Sequence, residues 1–136
     1  MRQVVFDREE TRRGPLILVN QTHPVSDVYE PELIPLEGGG SGIRLERRAA
    51  HLLAACIRAA GGTGVIIPVS GWRSEAEQQA TWDDAWRTRG EDFTRRYVAF
   101  PGCSEHQTGL AIDLAERAEH IDWICPDFPD RGPCGT

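Results

Sequence analysis

Apolar residues along this chain fall into a few short patterned stretches separated by glycine and proline. The clearest pattern is helical. Leu45, Ala49, Leu52, Leu53, Cys56 and Ile57 recur at i, i+4, i+7, i+8, i+11 and i+12, which predicts one apolar stripe on a helix over residues 44–60, ended by Gly61-Gly62. That stripe places Cys56 in the core and leaves His51 on the solvated side. A second helix announces its own start. Ser74-x-x-Glu77 is a capping box, so a helix is expected from about Glu75 to Arg87, with Trp82 and Trp86 sharing a core-facing side. Continuous apolar runs predict strands at 16–19 and 65–70, with Pro68 marking an edge or a strand end in the latter. Alternation over 109–114 predicts another strand, with Leu110, Ile112 and Leu114 on one face and Gly109, Ala111 and Asp113 on the other.

The connecting stretches read differently. Residues 20–42 carry Pro24, Pro31 and Pro35, end in Gly38-Gly39-Gly40-Ser41-Gly42, and read as an irregular loop. Residues 93–100 fit either a short helix or a loop, and 123–136 show no clear element. The order strand, loop, helix, strand, helix, loop, strand is that of an α+β domain. No repeat or linker divides the 136 residues, so a single domain is expected.

Charge narrows the class of partner. Twenty-one acidic residues against 15 basic ones give a net charge of -6, which argues against a nonspecific nucleic-acid binder. No apolar run is long enough to span a membrane, and the opening Met1-Arg2-Gln3-Val4-Val5-Phe6-Asp7-Arg8-Glu9-Glu10 has no signal-peptide pattern. The expectation is therefore a cytoplasmic chain without an anchor. Cys56, Cys103, Cys125 and Cys134 form no paired C-x-x-C knuckles, so a structural zinc ribbon is not expected and free thiols are.

The chemistry concentrates at Ser104-Glu105-His106-Gln107-Thr108-Gly109-Leu110-Ala111-Ile112-Asp113. Imidazole and carboxylate are both zinc ligands, and a catalytic zinc takes three protein ligands and keeps one open position. His106 precedes the alternating strand, and Asp113 lies on its small-residue face, where there is room for a metal. The spacing alone also fits a surface histidine near a turn and an aspartate at the end of an edge strand.

Three ordered motifs sharpen this. Leu16-Ile17-Leu18-Val19-Asn20 with His23-Pro24, then Ser70-Gly71-Trp72-Arg73-Ser74 with Gln78, then the S-x-H-x-x-G-x-A-x-D run from Ser104 to Asp113 resemble the VanY-type D-alanyl-D-alanine carboxypeptidases. The resemblance covers about residues 16–113. It implies a small antiparallel sheet with helices packed on one side and a zinc site on the sheet. It implies hydrolysis of the terminal D-alanine of peptidoglycan precursor peptides. His106 and Asp113 are similar to the first two zinc ligands, and Arg73 to the arginine near the scissile carbonyl. Gln78 and Ser104 resemble residues that hold the terminal D-alanine and its carboxylate. Family members also act at the cell envelope.

One family element is missing. The family completes its site with an E-x-x-H, which supplies a general base and a third ligand. The residues three before His23, His51, His106 and His120 are Asn20, Arg48, Cys103 and Arg117, so the sequence contains no E-x-x-H. His120 with Glu116 and Glu119, or Cys134, are the remaining donors downstream. The expectation is a peptidase domain incomplete at its C-terminal end, the alternative being an inactive relative that binds cell-wall peptides.

Overall fold

A computed structural model describes residues 1, 3–38, 40 and 42–119. The fold is α+β, with three α-helices and two small antiparallel sheets among the described residues. Strands β1 (Leu33–Pro35) and β2 (Arg44–Glu46) form a hairpin in which Ile34 faces Leu45. Helix α1 (Arg47–Ala59) follows directly and packs on that hairpin. Strand β3 (Ile66–Ser70) pairs with β4 (Asp113–Glu116), and between them lie α2 (Glu75–Arg89) and α3 (Glu91–Tyr97), which pack on each other.

Several expectations change here. The helix expected from residue 44 begins at Arg47, because Arg44–Glu46 pair with Leu33–Pro35 instead. Glu46 then caps the helix, its carboxylate accepting from the Ala49 N–H at 3.0 Å. Leu33–Pro35 form β1, so residues 20–42 are not wholly irregular. Residues 16–19 form no strand. Gly14–Leu16 is a short 3-10 turn with a proline in its first positions, and the apolar residues after it have no ladder partner among the described residues. The ambiguous stretch is helical, as α3.

The apolar stripe of α1 is only partly buried. Ile57 is in the core, whereas Cys56 is exposed and Leu52 is 70% exposed. Trp86 is 38% exposed, while Trp82 packs edge-on against Phe100 at 5.4 Å between ring centroids. The core proper is Val25, Leu45, Ala50, Ile57, Ala85 and Val98.

The sheet expected as one unit is two ribbons among the described residues. Pro68 is buried in β3 and has no N–H to offer, and the β3–β4 register is irregular between Pro68 and Ser70. The ribbons meet just past β3, where the Trp72 N–H donates to the Arg44 carbonyl at 2.7 Å.

The capping box forms as the sequence predicts. The Glu77 N–H donates to Ser74 Oγ at 3.2 Å, and Glu77 Oε2 accepts from the Ser74 N–H at 2.8 Å. Ser74→Ala is expected to cost about 1 kcal/mol, read as a lowered urea midpoint. The Glu77 carboxyl is held below its ordinary value, chiefly by the hydrogen bond from the Ser74 backbone, then by that from its hydroxyl. A lowered carboxylate contributes stability at neutral pH that is lost as pH falls through its folded value. The difference in urea midpoint between the native chain and Glu77→Gln should therefore shrink on acidification. An unchanged difference down to acid pH would remove the linkage.

Candidate metal and substrate site

The pairing of β3 with β4 builds the site. After the irregularity at Pro68, Ser70 stands opposite Asp113, which brings the S-G-W-R-S segment against the strand carrying the carboxylate. His106 sits on a 3-10 turn, Glu105–Thr108, before that strand. The turn is closed by Gly109 in the left-handed conformation (φ 75°), and a Cβ there would meet Leu33 and Pro31 at 3.2 Å. The strand expected from Gly109 begins at Asp113. Residues 109–112 form the approach to it.

His106 is fixed from several sides. Its Nδ1 lies 2.7 Å from the Gly71 carbonyl, so in the neutral ring Nδ1 carries the proton and donates. Nε2 then faces Asp113 Oδ2 at 3.3 Å. The His106 carbonyl accepts from the Arg73 N–H at 3.2 Å, and its own N–H donates to Ser104 Oγ at 3.3 Å. The hydrogen bond with Asp113 raises the imidazole pKa, burial opposes it, and the Gly71 carbonyl adds to the rise. The ring is mostly buried while Asp113 is about half exposed, so the pair opens to solvent on the carboxylate side.

Arg73 is held at both terminal nitrogens. Nη1 donates to Gln78 Oε1 at 2.7 Å and Nη2 to Ser70 Oγ at 2.8 Å. Gln78 is 1% exposed and Ser104 2% exposed, so both expected substrate residues lie beneath the surface. The geometry thus brings together Arg73, Gln78, Ser104, His106 and Asp113 through direct bonds or the Ser70–Asp113 pairing. Their functional roles are taken up below.

Three further residues support the site. Gly71 acts through its carbonyl, and its lack of Cβ lets the backbone of β2 approach. Ser70 supports Arg73. Tyr29 donates its hydroxyl to the Thr108 carbonyl at 2.7 Å and steadies the turn from the far side. Gly71 and Ser70 stand within the recognised motif. Tyr29 lies 79 positions away in sequence from its partner and carries no local signal.

The expected downstream donors are different. His120 and Cys134 lie outside the described residues. Among the described residues, no three His, Cys, Asp or Glu side chains come together as a metal-holding group. A cavity of about 770 Å³ among the described residues is also not at the His–Asp pair. It lies behind the turn, lined in part by Tyr29, Glu46, Arg47 and Leu110. Converging donors locate the chemistry better than volume does. No described helix is long and apolar enough to cross a membrane.

The small α+β fold thus holds an imidazole–carboxylate pair and, in the segment before α2, an arginine fixed at both terminal nitrogens. The chain belongs to the VanY D-alanyl-D-alanine carboxypeptidase family, whose model matches residues 42–128. It is 38% identical over 117 residues to the bifunctional D-Ala-D-Ala dipeptidase and D-Ala-D-Ala carboxypeptidase VanXYC of Enterococcus gallinarum, a match covering 85% of this chain and 62% of that relative. Among solved structures it resembles the vancomycin resistance D,D-dipeptidase VanXYg in complex with a D-Ala-D-Ala phosphinate analog. That match has a TM-score of 0.83 and 43% identity, and covers 95% of this chain and 51% of the other. A mutant of the D,D-pentapeptidase VanY from the VanB-type resistance cassette, in complex with Zn(II), is similar with TM-score 0.65 and 33% identity, covering 77% and 63%. The chain spans about half to two thirds of the length of these relatives.

Proposed function

We propose that this chain carries the zinc and substrate site of a D-alanyl-D-alanine carboxypeptidase acting on peptidoglycan precursor peptides. The observation that carries the reading is the His106–Asp113 pair, with the ring nitrogen facing the carboxylate already freed by the Gly71 carbonyl. Two ligands held at about 2.0–2.2 Å by a tetrahedral zinc ion lie roughly 3.3–3.6 Å apart. His106 Nε2 and Asp113 Oδ2 stand 3.3 Å apart. The donor types and spacing therefore suit the ion, and a histidine whose second nitrogen donates to a carbonyl is the usual ligand arrangement. Solved relatives bound to Zn(II) and to a D-Ala-D-Ala phosphinate analog support the metal and the substrate class.

His106 and Asp113 hold the metal in this reading. Bound zinc supplies an acidified water and a Lewis acid for amide hydrolysis at neutral pH. Arg73 presents its guanidinium to the negative charge that develops on the scissile carbonyl oxygen. Ser104 and Gln78 underlie the place of the terminal D-alanine, Ser104 by fixing the turn that carries His106. The described residues are read as part of one peptidase domain, and the sequence contains no E-x-x-H.

The test is zinc content and D-alanine release from a peptide ending in D-Ala-D-Ala. The chain should bind close to one zinc, and His106→Ala and Asp113→Asn should each lose it, with release dropping in parallel. Peptide binding without release would instead give a noncleaving wall-peptide binder. Absence of both zinc retention and peptide binding would sink the proposal.

A further inference from the structure

We propose that Tyr29 is a positioning residue for the His106–Asp113 pair, and that it acts through the Thr108 carbonyl by fixing the corner of chain that joins the two ligands. The bonds stand by themselves, and the consequence for metal and turnover rests on the peptidase reading above.

The corner lies between the ligands along the chain, with Thr108 after His106 and well before Asp113. Thr108 ends the 3-10 turn, and the last carbonyls of such a turn find no partner inside it. Thr108 is 4% exposed and Gly109 is buried, so these carbonyls depend on partners from elsewhere in the fold. Both find one in the layer behind. The Tyr29 hydroxyl donates to the Thr108 carbonyl at 2.7 Å, and the Glu46 N–H donates to the Gly109 carbonyl at 2.8 Å. Of these two bonds, only that of Tyr29 depends on a side chain. Burial, and then the nearby Glu46 carboxylate, hold the phenol pKa above its ordinary value, so the hydroxyl keeps the proton it donates.

The ends of the 106–113 segment are held elsewhere. His106 is tied to the Gly71 carbonyl and the Arg73 N–H, and Asp113 stands opposite Ser70. Both ends therefore rest on residues 70–73, and a loop fixed only there could hinge about them. The corner rests on a different part of the fold, residues 29–46, and that support removes the hinge. The Thr108 side chain spreads the restraint, its hydroxyl donating to the Glu105 carbonyl at 2.5 Å and accepting from the Leu110 N–H at 3.0 Å. A shift of the Thr108 peptide is thus carried back toward His106 and forward toward Asp113, whose facing atoms stand 3.3 Å apart. The phenol also borders the cavity of about 770 Å³, together with Glu46 and Leu110, so its place is open to a small molecule from that side.

Two measurements separate positioning from plain support of the fold. The first, native-state hydrogen exchange, needs neither zinc nor turnover. Tyr29→Phe keeps the ring and removes the donor. Exchange at the Glu46, Gly109 and Leu110 amides should quicken about tenfold relative to the Gln78 amide, which bonds to Ser74 within α2. A uniform change at all four amides, or no change at the corner, overturns the positioning role. Loss of the cooperative thermal transition in Tyr29→Phe overturns it as well, because the hydroxyl then serves global stability.

The second measurement is zinc affinity. Tyr29→Phe should lower it about tenfold, the low end of the loss when an outer support of a metal ligand is removed. Ile57→Val, which weakens the core at the far end of α1, should leave it unchanged. An equal loss in both variants would mark Tyr29 as structural. Tyr29→Ala then empties the ring's place beside the cavity. Added p-cresol restores ring and hydroxyl and should recover affinity, whereas toluene restores the ring alone and should not. No recovery with p-cresol, or equal recovery with toluene, would show that the hydroxyl is not what Tyr29 supplies. If the unsubstituted chain binds no zinc, the peptidase reading fails, while the exchange rates still decide the corner.

Discussion

Gly71→Ala should be among the most damaging single-atom changes in this protein, although Gly71 adopts a backbone conformation open to other residues. A Cβ there would lie 2.3 Å from the Arg44 carbonyl oxygen and 3.0 Å from Ile43 Cγ2. The first of these atoms is backbone, so no rotamer change relieves the clash. The 70–73 segment must retreat from β2. That movement strains the Trp72 N–H bond to Arg44 and carries the Gly71 carbonyl away from His106 Nδ1. Overpacking of this kind costs about 1–3 kcal/mol, occasionally more. Loss of a bond that orients a metal-binding histidine typically lowers metal affinity about 10–100-fold. Both effects are measurable, by urea unfolding and by zinc titration. Gly64→Ala is the control, since nothing lies within 4 Å of a Cβ at Gly64. It should leave zinc affinity unchanged and shift stability by no more than about 0.5 kcal/mol. Equal behaviour of the two variants would refute the close-approach argument.

Arg73→Ala should give the largest loss of turnover that leaves the metal in place. Removing a preorganised donor to a developing oxyanion costs about 100–1,000-fold in kcat. Arg73→Lys should recover little of it. The native side chain engages Gln78 with one terminal nitrogen and Ser70 with the other, and a single ammonium cannot reproduce that planar fork. The alanine variant should also be less stable, because it strips Oε1 of Gln78 of its partner at a buried position. An unsatisfied buried acceptor costs about 1–3 kcal/mol. Zinc content should stay at the native level, which separates this variant from His106→Ala. Full turnover in Arg73→Ala would exclude Arg73 from the chemistry.

Local sequence signals specify structure wherever the physics is local. The capping box fixes the start of α2 at Glu75 because its two bonds span only Ser74 to Glu77. The apolar run 65–70 becomes β3 with one residue trimmed. The segments that depart from their local pattern share one cause. Residues 44–46 continue a helical apolar pattern, yet their backbone bonds go to residues 33–35, a pairing set by a distant partner. Residues 16–19 have strand composition but pair with no strand among the described residues. Periodicity buried Cys56 in the core, whereas burial depends on what covers each face of α1.

For the site, the sequence by itself determined the residue types and the family: an imidazole, a carboxylate and an arginine within ordered motifs. The tertiary structure alone decided how they serve one another. Antiparallel pairing of β3 and β4 sets Ser70 opposite Asp113, and a glycine carbonyl on one strand end selects the nitrogen that His106 offers. A buried glutamine accepts from the arginine and donates to a carbonyl beyond α3. Such relations arise from hydrogen bonds between segments far apart in the chain. Their partners cannot be paired by spacing along the sequence, only by the fold that brings them within bonding distance.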